Sequence, residues 1–209
     1  MESDCENIHK ERGVILFLFY NLLNRSIIFI LGGRSVMKEL TTEQERNNKE
    51  YTDNHIKNVR KSFNDRALQL KNVLDLSDDD MIELRRKISK HDESKYSDDE
   101  FEGYRKNFYP APGEDKNVAK REFDLAWRHH YTVNDHHPEY WKGKDMSKIA
   151  IAELICDWEA MSRNFGGNPL EYFEKNKDKK RKVMSPKTFE IVDQALHTLY
   201  NIDMNLKDN

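Results

Sequence analysis

From about Thr41 onward, apolar residues recur at spacings of three and four, and strand-like alternation is nearly absent. That period belongs to amphipathic helices. A first long helix is expected from about Thr42 into the region of Leu70, with Ile56, Val59, Phe63, Ala67 and Leu70 on its inward face. Ser77 followed by Asp80 resembles a capping box and opens a second helix whose apolar face is Met81, Leu84 and Ile88. Ser97 with Glu100 opens a third, bearing Phe101, Tyr104 and Phe108, and the Pro- and Gly-containing stretch from Tyr109 to Asp115 reads as a loop. A fourth helix, about Asn117 to Tyr131, is expected to bury Phe123, Ala126 and Trp127. A turn-rich segment follows, and then a fifth helix from about Ser147 to Ser162 that buries Ala150, Leu154, Trp158 and Met161. Gly166 to Pro169 is a break, and the basic run from Lys175 to Lys182 reads as a solvated loop, or as a patch that steers a polyanion. Ser185 as N-cap and Pro186 in the first turn open a last helix with Phe189, Ile191, Val192, Leu196 and Leu199 inward. The expectation is an all-α fold: one compact domain over 37–209 with about six or seven helices.

The pattern changes upstream. Gly13 to Gly33 is the one strongly apolar stretch, but Asn21, Asn24 and Arg25 fall near its middle. A central Arg costs roughly 2.5–3.5 kcal/mol on insertion scales, and the uninterrupted run from Val14 to Tyr20 is far shorter than a membrane span. Lys10 and Arg12 precede the run as in a signal peptide, yet no small-x-small cleavage site follows. Residues 1–36 therefore read as an apolar leader outside the fold, either a membrane anchor or an over-extended start with translation beginning at Met37.

Composition narrows the class. The chain has 209 residues, 37% hydrophobic and 35% charged, with a net charge of −3, so no global electrostatic case for nucleic-acid binding arises. Its two cysteines, Cys5 and Cys156, are far apart, which argues against a disulfide framework and for the cytoplasm.

Placing the polar residues on these helices brings chemistry into view. His91 lies three beyond Ile88, His130 four beyond Ala126, Asp157 three beyond Leu154, and His55 four before Val59. Each falls on an inward face. Buried imidazoles and carboxylates are costly unless paired or bound to metal, and one shared divalent cation (Mn, Fe, Co, Ni, Zn or Mg) satisfies all four. Five of the eight histidines fall between His91 and His137. Glu153, one turn before Asp157, faces the same way and is a candidate base, a support for a ligand His, or a structural ion-pair partner. Trp127, Tyr140, Trp141 and Trp158 read as core, with stacking on a substrate base as the alternative; His129 and His197 read as peripheral, and Cys156 as packing.

The order His55, His91-Asp92 and distal Asp157 resembles the HD superfamily of metal-dependent phosphohydrolases. That resemblance implies a first metal on His55, His91, Asp92 and Asp157, and a second on His130 with His136 or His137, Asp92 being the natural bridge. The segment HDESK (His91 to Lys95) looks like the HDxxK variant of the branch that cleaves cyclic dinucleotides, which nominates Lys95 as a phosphate contact. The GYP element of that branch is missing; HHPEYW, ending at Trp141, stands in its region. HDESK, HHPEYW and ICDW (Ile155 to Trp158) together resemble an uncharacterised bacterial and phage family of HD-like proteins, over roughly 54–162.

The function expected from these residues is hydrolysis of a nucleotide or other small phosphate ester, with Asp92, Lys95 and Glu153 as catalytic candidates. The competing expectations are a metal- or nucleotide-binding module without turnover, and an oxygen-using di-iron enzyme of HD type. The expected partner is a small phosphorylated substrate, with a membrane involved only if 13–33 is an anchor.

Overall fold

In the computed structural model the backbone is described for residues 10–11, 14–15, 17–21, 26–31, 34–39 and 42–207, and side chains for 42–200. The chain divides into two compact units, Met1–Arg46 and Asn47–Asn209.

In the first unit, β1 (Lys10–Glu11) pairs antiparallel with β2 (Val14–Ile15). A three-stranded meander joins β3 (Phe17–Asn21), β4 (Ser26–Leu31) and β5 (Arg34–Glu39). The leader's described parts are thus strands rather than the helix an anchor would need. Its aromatic and β-branched runs favour a pleated backbone. Asn24 and Arg25 lie outside the described residues, and Met37 falls within β5. Among the described residues no helix is long and apolar enough to cross a membrane.

The rest is helical: α1 (Glu43–Val73), α2 (Asp78–Ser89), a 3₁₀ turn (Glu93–Tyr96), α3 (Phe101–Phe108), α4 (Lys116–Val133), a second 3₁₀ turn (Pro138–Trp141), α5 (Lys148–Phe165), α6 (Pro169–Lys175), α7 (Lys177–Val183) and α8 (Pro186–Lys207). The caps follow from the sequence. The Asp80 amide donates to Ser77 Oγ (3.1 Å) and the Ser77 amide to Asp80 Oδ2 (2.9 Å), a closed capping box. Ser147, Asp115 and Ser185 accept first-turn amides of α5, α4 and α8.

The core is built around α5. Ala150 to Cys156, Trp158 and Ala160 are all buried, against Val59, Phe63 and Leu70 of α1, Leu84 and Ile88 of α2, Leu170 and Phe173 of α6, and Val192, Leu196 and Leu199 of α8. Burying one such Leu or Ile contributes about 1.5–3 kcal/mol, so α5 is fixed by packing on nearly all sides. Polar links add direction: Arg66 of α1 donates to Glu159 of α5 (3.0 Å), which also accepts from Tyr200 of α8 (2.7 Å).

Some local expectations are replaced. The residues from Lys175 to Lys182 are not a loop: they run from the end of α6 through α7. Ser97 and Glu100 do not cap α3; Glu100 makes no capping bond and is fully buried. Phe108 is 55% exposed, Phe123 and Trp127 are half-buried, and Tyr140 is 41% exposed, so α3 and α4 carry a thinner core than their periodicity suggests.

What binds α3 to α4 is close backbone approach. A Cβ on Gly103 would sit 2.6 Å from the Ala126 Cβ and 2.7 Å from the Glu122 carbonyl oxygen. Gly103→Leu is expected to destabilise the protein by about 1–3 kcal/mol through overpacking, despite a helix-propensity gain of about 1 kcal/mol. Urea denaturation reads this, and an unchanged midpoint would mean that the helices separate freely.

The buried Arg105 of α3 forks onto Glu114 (2.8 and 2.6 Å) and holds its carboxyl down at about 2. The pair stabilises above the ordinary carboxylate range, and that contribution is lost as pH falls toward about 2. Glu114→Gln is expected to cost about 1–2 kcal/mol at pH 7, with the gap to wild type narrowing below pH 4.5. A gap that stays constant with pH would refute the charge-based account.

Candidate metal centre

Three helices and two turns deliver the ionisable residues to one place. His55 comes from α1 and His130 from the last turn of α4. His136 and His137 come from the turn before the second 3₁₀ segment, and Glu153 and Asp157 from α5 at i, i+4 spacing. His91 lies just beyond the C-cap of α2 rather than on the helix. Asp92 then takes a left-handed backbone (φ 58°). Asp tolerates that region better than most residues, and the reversal sends the chain into the 3₁₀ turn that bears Lys95.

His55, His91, Asp92, His130 and His136 are each at most 2% exposed, and Asp157 is 14% exposed. The two oxygens of Asp92 face different groups. Oδ2 lies 3.4 Å from His55 Nε2, 3.6 Å from His91 Nε2 and 2.7 Å from Lys95 Nζ. Oδ1 lies 3.3 Å from His130 Nε2 and 3.6 Å from His136 Nε2. Asp157 Oδ1 closes the first group, 3.1 Å from His55 Nε2 and 3.9 Å from His91 Nε2. In the second group Asp92, His130, His136 and His137 offer ligand atoms all within 4.8 Å of one another. The structure therefore brings together every metal-ligand candidate read from the sequence, and both members of the His136-His137 pair belong to the second group.

Behind the rings stand carboxylates. Glu153 Oε1 is 3.0 Å from His91 Nδ1 and 3.5 Å from His136 Nδ1, and its Oε2 is 3.1 Å from Lys87. Glu100 Oε2 is 2.8 Å from His130 Nδ1, and its Oε1 is 2.8 Å from His129 Nδ1. With each Nδ1–H donating backward, each Nε2 presents its lone pair to the centre, the arrangement in which outer carboxylates orient histidine ligands. Glu153 thus combines two of its expected roles, orienting histidines and pairing with a lysine. Glu100 and Lys87 were not legible as site residues. Glu100 has the spacing of a capping partner for Ser97, and nothing local distinguishes a carboxylate that turns inward instead.

The electrostatics are those of a charged cluster kept from water. Burial opposes ionisation of Asp92, but His91 and Lys95 hold its carboxyl well below the ordinary range. Asp157 is likewise held low against burial, by His55 and His91. Burial disfavours the imidazolium of His55, yet the Asp157 and Asp92 carboxylates outweigh it and raise the group to about 9. His130 is raised against burial by Asp92 and Glu100. His136 is pushed well below its usual value by burial and by His137, and His137 falls to about 3 through burial and His130.

Several polar atoms here are buried and lack a hydrogen-bond partner: His91 Nε2, His136 Nε2, His137 Nε2 and Asp92 Oδ1. Each such atom costs about 1–3 kcal/mol if left unsatisfied. They converge on the two groups just described, and a divalent cation fits imidazole nitrogens and carboxylate oxygens together. The described residues therefore include buried groupings that could hold a metal ion.

Glu100→Gln keeps the size of the side chain but sets an amide N–H against an imidazole N–H. It is expected to cost about 1–3 kcal/mol, read by urea denaturation of the metal-free protein; a variant as stable as wild type would show that the Glu100 contacts contribute nothing.

No curated protein and no solved structure matches this chain. The model of a family of unknown function (DUF5662) matches residues 44–198, a span that contains every residue of this centre, and the chain belongs to that family.

Proposed function

We propose that the protein is a metal-dependent phosphohydrolase acting on a nucleotide or other small phosphate ester, as its resemblance to the HD superfamily implies. The observation that carries this reading is the division of Asp92. One carboxylate oxygen faces His55 and His91, and the other faces His130 and His136. A carboxylate shared in this way would serve two divalent ions, of which His55, His91 and Asp157 would help hold one and His130, His136 and His137 the other. Such ions, when bound, supply Lewis acidity toward a phosphoryl oxygen and lower the pKa of water.

The chain's own residues do the rest. A cavity of about 540 Å³ opens on this centre, and His55, Asp92, Lys95, His130, His137 and Asp157 line it. Lys95, against Asp92 and on the cavity wall, is positioned to bind a non-reacting phosphate oxygen and offset its charge. Glu153 is a positioning residue rather than the base. Its carboxylate is committed to Lys87, His91 and His136 on the far side of the rings from their Nε2 atoms. Leu154, Met161 and Trp127 give the cavity apolar walls that suit an organic leaving group.

The test is metal content together with turnover. The purified protein, loaded with Mn or Co, is expected to bind two ions per chain and to release phosphate from at least one member of a panel of nucleotides and simple phosphate esters. Asp92→Asn is expected to lower turnover on the order of 100-fold or more and to weaken both ions, while His136→Ala weakens one. Circular dichroism checks that the variants fold. A wild-type protein that binds no divalent ion, or an Asp92→Asn variant that retains full activity, would overturn the reading.

A further inference from the structure

The wall of this cavity continues well past the metal centre. Leu154, Asp157, Trp158, Met161 and Phe165 of α5 all line it, at spacings of one, three and four that form one stripe. At 1.5 Å per residue, Asp157 to Phe165 covers about 12 Å. Gly166 and Gly167 then turn the chain with φ of 82° and 78°, and α6 and α7 extend the wall with Tyr172, Lys175 and Lys180.

This outer part is chemically unlike the inner part. The Lys180 ammonium lies 4.7 Å from the centre of the Trp158 ring and 5.1 Å from that of Tyr172, and the two rings stand edge to face at 5.2 Å. Neither Lys175 nor Lys180 forms an ion pair among the described residues. The adjacent Lys177, by contrast, is paired with Glu174 and Asp193. Two carboxylates also reach the cavity. Glu171 is occupied by the Asn168 cap (2.9 Å), and Glu139 enters from the 3₁₀ turn after His137. The exposed ring of Tyr172 beside two ammonium groups that lack a carboxylate partner, one helical stripe away from the candidate metal centre, suits a ligand with a flat ring and a second negative charge.

We propose that Trp158, Tyr172, Lys175 and Lys180 form a distal subsite, and that the substrate is a nucleotide carrying two phosphoryl groups, of the nucleoside bisphosphate class. The reacting phosphoryl sits at the metal centre, the base lies against the exposed Tyr172 ring, which Trp158 backs, and the second phosphoryl meets the two lysines. Water adds to phosphorus, the ester P–O bond breaks, the leaving alkoxide takes up a proton, and inorganic phosphate and a nucleoside monophosphate are released. The assignment rests on the phosphohydrolase reading.

The probes are adenosine 5′-monophosphate and adenosine 3′,5′-bisphosphate, assayed with the metal-loaded full chain. Wild type is expected to show a KM for the bisphosphate roughly fivefold below that for the monophosphate, the scale of two partly exposed charge pairs. In the double variant Lys175→Ala/Lys180→Ala the two KM values converge, and Lys180→Arg with Lys175 intact keeps them apart. Equal KM values in wild type, or a preference that survives the double substitution, would overturn the subsite. If wild type hydrolyses neither nucleotide, isothermal titration judges the subsite alone, and the phosphohydrolase reading is judged by the wider panel. Binding of the bisphosphate that the double substitution weakens upholds the subsite; binding that it leaves intact removes it.

Discussion

The site is organised around a carboxylate that is almost fully buried. Asp92 is 2% exposed, and an ionised carboxylate in that position is tenable only if opposite charge and hydrogen-bond donors surround it. Lys95 presents its ammonium at 2.7 Å, and four histidines turn Nε2 atoms toward the carboxylate from between 3.3 and 3.6 Å. His55 from α1, His130 and His136 from α4 and the turn after it, and His91 and Lys95 from either side of Asp92 meet there, so the charge acts as a register for the fold. The left-handed backbone at Asp92 is part of the same constraint. It costs conformational energy, and the surrounding contacts keep the residue there.

Orienting the imidazoles requires a further layer. An imidazole can turn either nitrogen toward Asp92, and the choice is fixed from behind. Glu153 engages the Nδ1 of His91 and His136, and Glu100 that of His130. The two outer carboxylates are held in turn. Lys87 anchors Glu153, and the Gly103–Ala126 approach sets α3, which begins one residue after Glu100, against α4, which carries His130. A tight backbone contact with no chemistry of its own thereby determines the direction of a lone pair at the centre.

This layering explains what the sequence made legible. The 3.6-residue period identified α1, α2, α4, α5 and α8 and the inward direction of His55, His130 and Asp157, because core packing forces that period. Burial of His91 was also foreseen, though it lies past the end of α2, where helical phase no longer applies. The HD pair and the spacing of the remaining histidines named the metal-ligand candidates through resemblance. What remained hidden depends on tertiary contact. Glu100 has the spacing of a capping residue and serves as a buried acceptor. The lysine run has a loop's composition but forms α7, tied to neighbouring helices through Lys177–Asp193, Arg181 over Phe189 and Lys180 over Trp158. The leader's apolar residues carry no period that separates a span from paired strands.

The same α5 helix meets the two opposing demands of such a site. Its Ala150-to-Cys156 stretch is buried among apolar neighbours, which makes it the most constrained element of the core. Asp157, Met161 and Phe165 follow on a stripe that opens progressively, from 14% exposed at Asp157 to 73% at Phe165. A rigid helix can hold a carboxylate to the tolerance that metal ligation needs only if its position is set elsewhere, by packing that the ligand does not share. Here the packed half of α5 sets the position and the open half faces the cavity. Changes to the outer wall, at Phe165 or in α6 and α7, can therefore alter what the cavity accepts without moving Asp157. That separation lets one buried centre be combined with different outer walls.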